Sequence, residues 1–175
     1  MRVIFIGLIL TSSLPVLAAD RVQPLNVKTG LWEMTMTTTT SGTMPISPEL
    51  AAKLTPEQRA RMDAAMKANS GEKTRTTTYK DCMTKEKLEK GADFGKADSK
   101  CPPTVANSTG SSVDVRFSCE QAGVKTSGTI HFDALNLENI KGSGQTSATG
   151  GGNTMNAKLS WTGKWIGPTC GGETE

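Results

Sequence analysis

All four cysteines of this 175-residue chain, Cys82, Cys101, Cys119 and Cys170, lie downstream of an N-terminal stretch that reads as an export signal. Arg2 supplies a charged start and residues 3–17 an apolar run. Ala18 and Ala19 then supply the small residues after either of which a signal peptidase can cut. The apolar run is short and is broken by Thr11-Ser12-Ser13 and Pro15, so a stable membrane anchor is not expected in the mature chain. Residues 1–19 are therefore expected to be a signal peptide, and residues 20–175 a single exported domain, periplasmic or secreted. In such an oxidising compartment four cysteines pair as two disulfides, and sequence alone permits three connectivities.

A register argument favours one of them. A hairpin centred on Gly110 sets Cys101 opposite Cys119, Pro103 opposite Phe117 and Val105 opposite Val115. Both cysteines then share a face with Val105, Val113, Val115 and Phe117, while Thr104, Asp114, Arg116 and Ser118 share the other. A slip of one residue would reverse every side chain, so Cys101–Cys119 is the favoured cross-strand bond, leaving Cys82 for Cys170.

Period-two alternation recurs along the chain. After Gly30, Trp32, Met34 and Met36 oppose Glu33, Thr35 and Thr37; residues 73–82 read as a threonine-rich strand. Val124, Thr126, Gly128, Ile130 and Phe132 oppose Lys125, Ser127, Thr129, His131 and Asp133. Met155, Ala157, Leu159, Trp161 and Trp165 oppose Asn156, Lys158, Ser160, Thr162 and Lys164. A weaker strand over 135–149 runs into a glycine turn at 150–152. The helical signal lies in 48–69, where Thr55-Pro56-Glu57-Gln58 is a capping box with a proline at the first helical position. Met62, Ala65 and Met66 form a narrow stripe on it. A second short helix is expected at 85–90 behind Thr84, and residues 20–29 read as a lead-in arm. The expected fold is mainly β: about seven strands in a curved antiparallel meander, an open half-barrel, with a helical insertion covering one face.

Composition narrows function more by exclusion than by assignment. Without Arg2, 19 basic residues face 17 acidic ones, a balance that does not fit a nucleic-acid partner. Hydrophobic residues are 35% and aromatics 5%, so the core is thin for its length and two disulfides compensate.

The run Gly30-Leu31-Trp32-Glu33, followed by Cys82-Met83-Thr84, resembles an uncharacterised family of exported bacterial proteins, a domain of unknown function numbered thirty-six seventeen. The resemblance implies a bacterial envelope setting and brings no catalytic residues with it.

The candidate sites are sparse. His131 is the only histidine and lies on the polar face of its strand, and no nucleophile-elbow sequence supports a Ser-His-Asp arrangement. The cysteine spacings contain no Cys-x-x-Cys, so neither a zinc ribbon nor a redox motif is indicated. No catalytic residue, metal site or cofactor is therefore expected. The leading expectation is a non-catalytic periplasmic binding or interaction domain for an apolar small molecule or lipid, lined by Trp32, Met34, Met36, Met62, Met66, Trp161 and Trp165. Methionine also admits a soft-metal alternative, Cu(I) on thioethers, and an enzyme with an unrecognised site is the competing class.

Overall fold

The computed structural model describes residues 22–89 and 101–171. The export signal read at 1–19 and the C-terminal end of the helix read at 85–90 lie outside them. Among the described residues no helix is long and apolar enough to cross a membrane. The elements run β1 (Gly30–Gly42), α1 (Pro48–Lys53), α2 (Pro56–Ala68), β2 (Lys73–Met83), α3 (Lys85–Glu89), β3 (Thr104–Ser108), β4 (Ser112–Gln121), β5 (Val124–Asn136), β6 (Asn139–Gly150) and β7 (Asn153–Gly167). The seven strands form one antiparallel, unclosed sheet in the order β2-β1-β7-β6-β5-β4-β3. From β3 to β7 it is a plain meander, and the first strand then returns to pair with the last.

The sheet must curl. Tyr79 and Met83 of β2 and Ile130 and Phe132 of β5 line one cavity, yet β2 and β5 stand four strand spacings apart, about 19 Å on a flat sheet. On the inner face large side chains lie over glycines of the neighbouring strand. A Cβ on Gly142 would stand 2.5 Å from the Phe132 ring, one on Gly128 the same distance from Phe117, and one on Gly163 2.6 Å from both Met34 Sδ and Ile140. The register sets each of these glycines opposite its covering residue. Missing side chains thus make room for rings laid flat against the backbone, which lets a chain poor in aromatics close a core.

That core gathers at one end of the curl. Trp32, fully buried, packs with Met34, Val113, Val115, Phe132 and Ile140. The lead-in arm seals this end. Its Asn26 amide donates to Gly110 O (2.7 Å) and its Lys28 amide to Leu137 O (2.8 Å), so the arm crosses two hairpin turns and inserts Leu25 into the core. α3 reaches the same core through buried Leu88, and Thr84 Oγ1 caps it by accepting from the Lys87 amide.

The outer face is wet. Three threonine pairs bridge β1 and β2: Thr35 with Thr78 (3.1 Å), Thr37 with Thr76 (2.9 Å) and Thr39 with Thr74 (3.0 Å). Such cross-strand pairs steady an otherwise exposed edge strand.

The Cys101–Cys119 and Cys82–Cys170 pairs have Cα separations of 5.2 and 5.4 Å, within disulfide range. The hairpin register holds through Thr104–Arg116 and Val105–Val115, then shifts by one between Val105 and Asn107. The expected register thus fails beyond Val105, because a bulge at Ala106 adds a residue that alternation cannot reveal. The helical stretch divides at Leu54, where the backbone is extended. α2 then starts on the expected reciprocal capping box of Thr55 and Gln58, and the Arg59 guanidinium donates back to the Ala51 carbonyl of α1. The weak strand read from 135 begins only at Asn139, since β5 runs on to Asn136.

The β4–β5 turn places Ala122 at φ 50° ahead of Gly123 at φ 72°, a left-handed pair that suits Asn-Gly. An alanine there is strained by roughly 1 kcal/mol. Ala122→Asn is expected to raise the urea midpoint; a lowered midpoint would contradict this reading of the turn.

Candidate functional site

The inner face holds a cavity of about 350 Å³. Its floor comes from four strands: Met34 of β1, Ile130 and Phe132 of β5, Ile140 of β6 and Trp161 of β7. The Phe132 and Trp161 rings meet at 5.2 Å between centroids, tilted by 40°. Leu25 of the arm closes one side. The polar groups are Tyr79, Asp81 and Lys87, with Lys87 Nζ 3.1 Å from Asp81 Oδ1. Burial, and then the Asp81 charge, raise the Tyr79 pKa, so its phenol keeps its proton and can donate. This is an apolar slot with a hydroxyl and an ion pair at its rim, able to enclose a small hydrophobic group and orient a polar one.

The residues expected to line one apolar surface divide four ways. Met34 and Trp161 line this cavity. Trp32 and Trp165 belong to the sealed end: Trp32 Nε1 donates to Lys28 O (3.0 Å), Trp165 Nε1 donates to Thr29 O (2.9 Å), and the Lys28 ammonium lies 4.4 Å from the Trp165 ring centroid. Met62 and Met66 line a different cavity with Met155 and the end of β1, so α2 does not bring them to the tryptophans. Met36 lines neither. The cover over the tryptophan end is the arm and α3. Leu25, Tyr79 and Lys87 are not among the site residues expected from the sequence, and Asp81, lying among lysines, reads there as part of a solvated face. For Tyr79 and Asp81 the signal was present, since odd positions of β2 share the inner face with Trp32 and Met34 through the Met34–Tyr79 and Trp32–Asp81 pairs.

On the outer face, His131 is held between two carboxylates. Its Nδ1 lies 2.7 Å from Asp114 Oδ1 and its Nε2 3.0 Å from Asp133 Oδ1. Lys141 Nζ lies 3.5 Å from Asp133 Oδ2, and the Asn107 amide donates to Asp114 Oδ2 at 3.4 Å. The β4–β5 register produces this by setting Asp114 directly opposite His131. The Asp114 hydrogen bond, against the opposing effect of burial and with help from Asp133, raises the His131 pKa. The His131 hydrogen bond is the main reason the Asp114 carboxyl lies below its usual range. Both ring nitrogens therefore face carboxylates, an arrangement that holds an imidazolium as a β4–β5 tie.

The sign of the pH dependence follows. A raised histidine pKa contributes stability that is full below its unfolded value, near 6.5, and fades as pH rises through the folded value. The lowered Asp114 value contributes above the ordinary carboxylate range and is lost as pH falls through the folded value. Since the His131 side chain is 42% exposed, the effect is screened to below about 1 kcal/mol. His131→Gln is expected to destabilise more at pH 5.5 than at pH 8.5 in urea titrations, and an equal loss at both would refute the tie.

No curated protein and no solved structure matches the chain. A family model does match, over residues 27–170, a span that takes in the arm's Val27, every strand and all four cysteines. The chain belongs to that family, described as protein of unknown function (DUF3617).

Proposed function

We propose that this domain is a non-catalytic binding protein of the bacterial envelope, exported by its N-terminal signal, that takes a small apolar molecule or a segment of a lipid chain into the inner cavity. The observation that carries this reading is the cavity of about 350 Å³ between Phe132, Trp161 and Met34, closed on one side by Leu25 and rimmed by Tyr79, Asp81 and Lys87. Its size falls at the lower end of ligand pockets. Burying an apolar ligand there gains about 25 cal/mol for each Å² removed from water, and the rim supplies hydrogen-bonding groups of either sign. The two disulfides fit an oxidising compartment.

The test uses the cavity's own tryptophan. Titration with an apolar probe, a medium-chain fatty alcohol below its aggregation limit, is expected to shift the fluorescence to the blue. Trp161→Phe should abolish the shift, and Trp165→Phe should retain it because Trp165 packs under Lys28 away from the cavity. Native mass spectrometry of protein purified from the envelope should show a co-purifying small molecule. A bare mass, with no response to alcohols, fatty acids or lysolipids, would sink the proposal.

A further inference from the structure

At the end of the sheet away from Trp32, a second cavity of about 380 Å³ gathers four methionines from separate parts of the chain. Met44 follows β1, Met62 and Met66 stand one turn apart on α2, and Met155 lies near the start of β7, where the register pairs it with Gly42. Nothing in their sequence positions announces this meeting. None of the four belongs to the buried core, Met44 is 62% exposed, and α2 buries none of its residues. These side chains therefore do not fill the domain interior, the usual work of methionine. The other side chains lining the cavity supply no carboxylate, imidazole or thiol, and its polar groups include Asn69 and Lys73, which bond each other at 2.9 Å. Among the described residues no group of three or more His, Cys, Asp or Glu is placed to hold a metal ion.

We propose that Met44, Met62, Met66 and Met155 form a binding site for a soft monovalent cation of the Cu(I) or Ag(I) type, a function separate from the inner apolar cavity. Thioether sulfur is a soft donor that selects Cu(I) over the hard and borderline divalent ions. Methionine has three rotatable bonds and no branching, so these partly exposed side chains around an open cavity can turn towards an ion. Lys73 at the rim adds to the selection, because its charge repels a divalent ion twice as strongly as a monovalent one.

The experiment titrates the folded protein, labelled with ¹³C at the methionine methyls, with Ag(I), which undergoes no redox chemistry with the protein. The signals of Met44, Met62, Met66 and Met155 are expected to shift together, and those of Met34 and Met83 to remain in place. Anaerobic Cu(I) competition against a chromophoric chelator should give one ion per chain. The pair Met62→Leu and Met66→Leu nearly conserves volume, so packing is kept while two donors go, and affinity should fall at least tenfold with the melting temperature little changed. Should that variant lose its fold, Met44→Leu on the connecting loop carries the same test, with an affinity loss expected. Unshifted methyl signals, shifts centred on Met34, or wild-type affinity in the leucine variants would each overturn the proposal; unshifted signals and wild-type affinity leave the inner-cavity reading untouched.

Discussion

Removing the Cys82–Cys170 bond by replacing both residues with alanine is expected to lower the unfolding free energy by roughly 4–5 kcal/mol, against about 3 for Cys101 and Cys119. The difference follows from loop closure, since the first bond spans 88 residues and the second 18. Position acts in the same direction. Leu31 of β1 aligns with Cys82 on one side and Gly167 on the other, so the bond ties β2 across β1 to the chain just beyond β7. Without it, edge strand β2 keeps only its pairing with β1 and the core contact of Met83, and the α3 contact through Leu88 depends on β2 staying in place. Equilibrium urea unfolding of the two double variants checks this. Equal losses, or a larger loss for the hairpin pair, would show that the long-range bond does not close the fold.

Trp32→Ala is the second large effect expected, a loss of about 3–5 kcal/mol. The side chain is fully buried, so truncating it leaves a cavity in the core. Its indole also donates to the Lys28 carbonyl, so the substitution loosens the arm that carries Leu25 and Val27 into the core. Hydrogen exchange should therefore quicken at the Asn26 and Lys28 amides, whose partners are the turn carbonyls of Gly110 and Leu137. Trp165→Ala should cost less, because that ring is only partly buried. A loss below about 1.5 kcal/mol for Trp32, or unchanged exchange in the arm, would remove it from the centre of the fold.

The alternations of Trp32 to Met36, Val124 to Phe132 and Met155 to Trp165 each mark a strand that the sheet contains, and in each case the apolar set faces inward. The capping box at Thr55 starts its helix as read, and the cysteine parity in the β3–β4 hairpin pairs Cys101 with Cys119. All of these are local patterns, visible within about a dozen residues. The candidate site was legible only in part. Met34 and Trp161 reach the same cavity, but Trp32 and Trp165 were drawn into the sealed end by hydrogen bonds to the arm, whose sequence carries no periodic signal.

What the sequence by itself determined is the strand faces, the helix start and the disulfide framework, because side-chain period, capping chemistry and cysteine parity act between near neighbours. Tertiary structure alone decided that β1 closes onto β7, that Asp114 comes to face His131, and that Met62 and Met66 meet Met44 and Met155 rather than the tryptophans. Those outcomes depend on which strand ends the curl brings together and on where the glycines of β5, β6 and β7 leave room for neighbouring side chains. Contacts of that kind join residues tens of positions apart, whose spacing along the chain leaves no periodic trace.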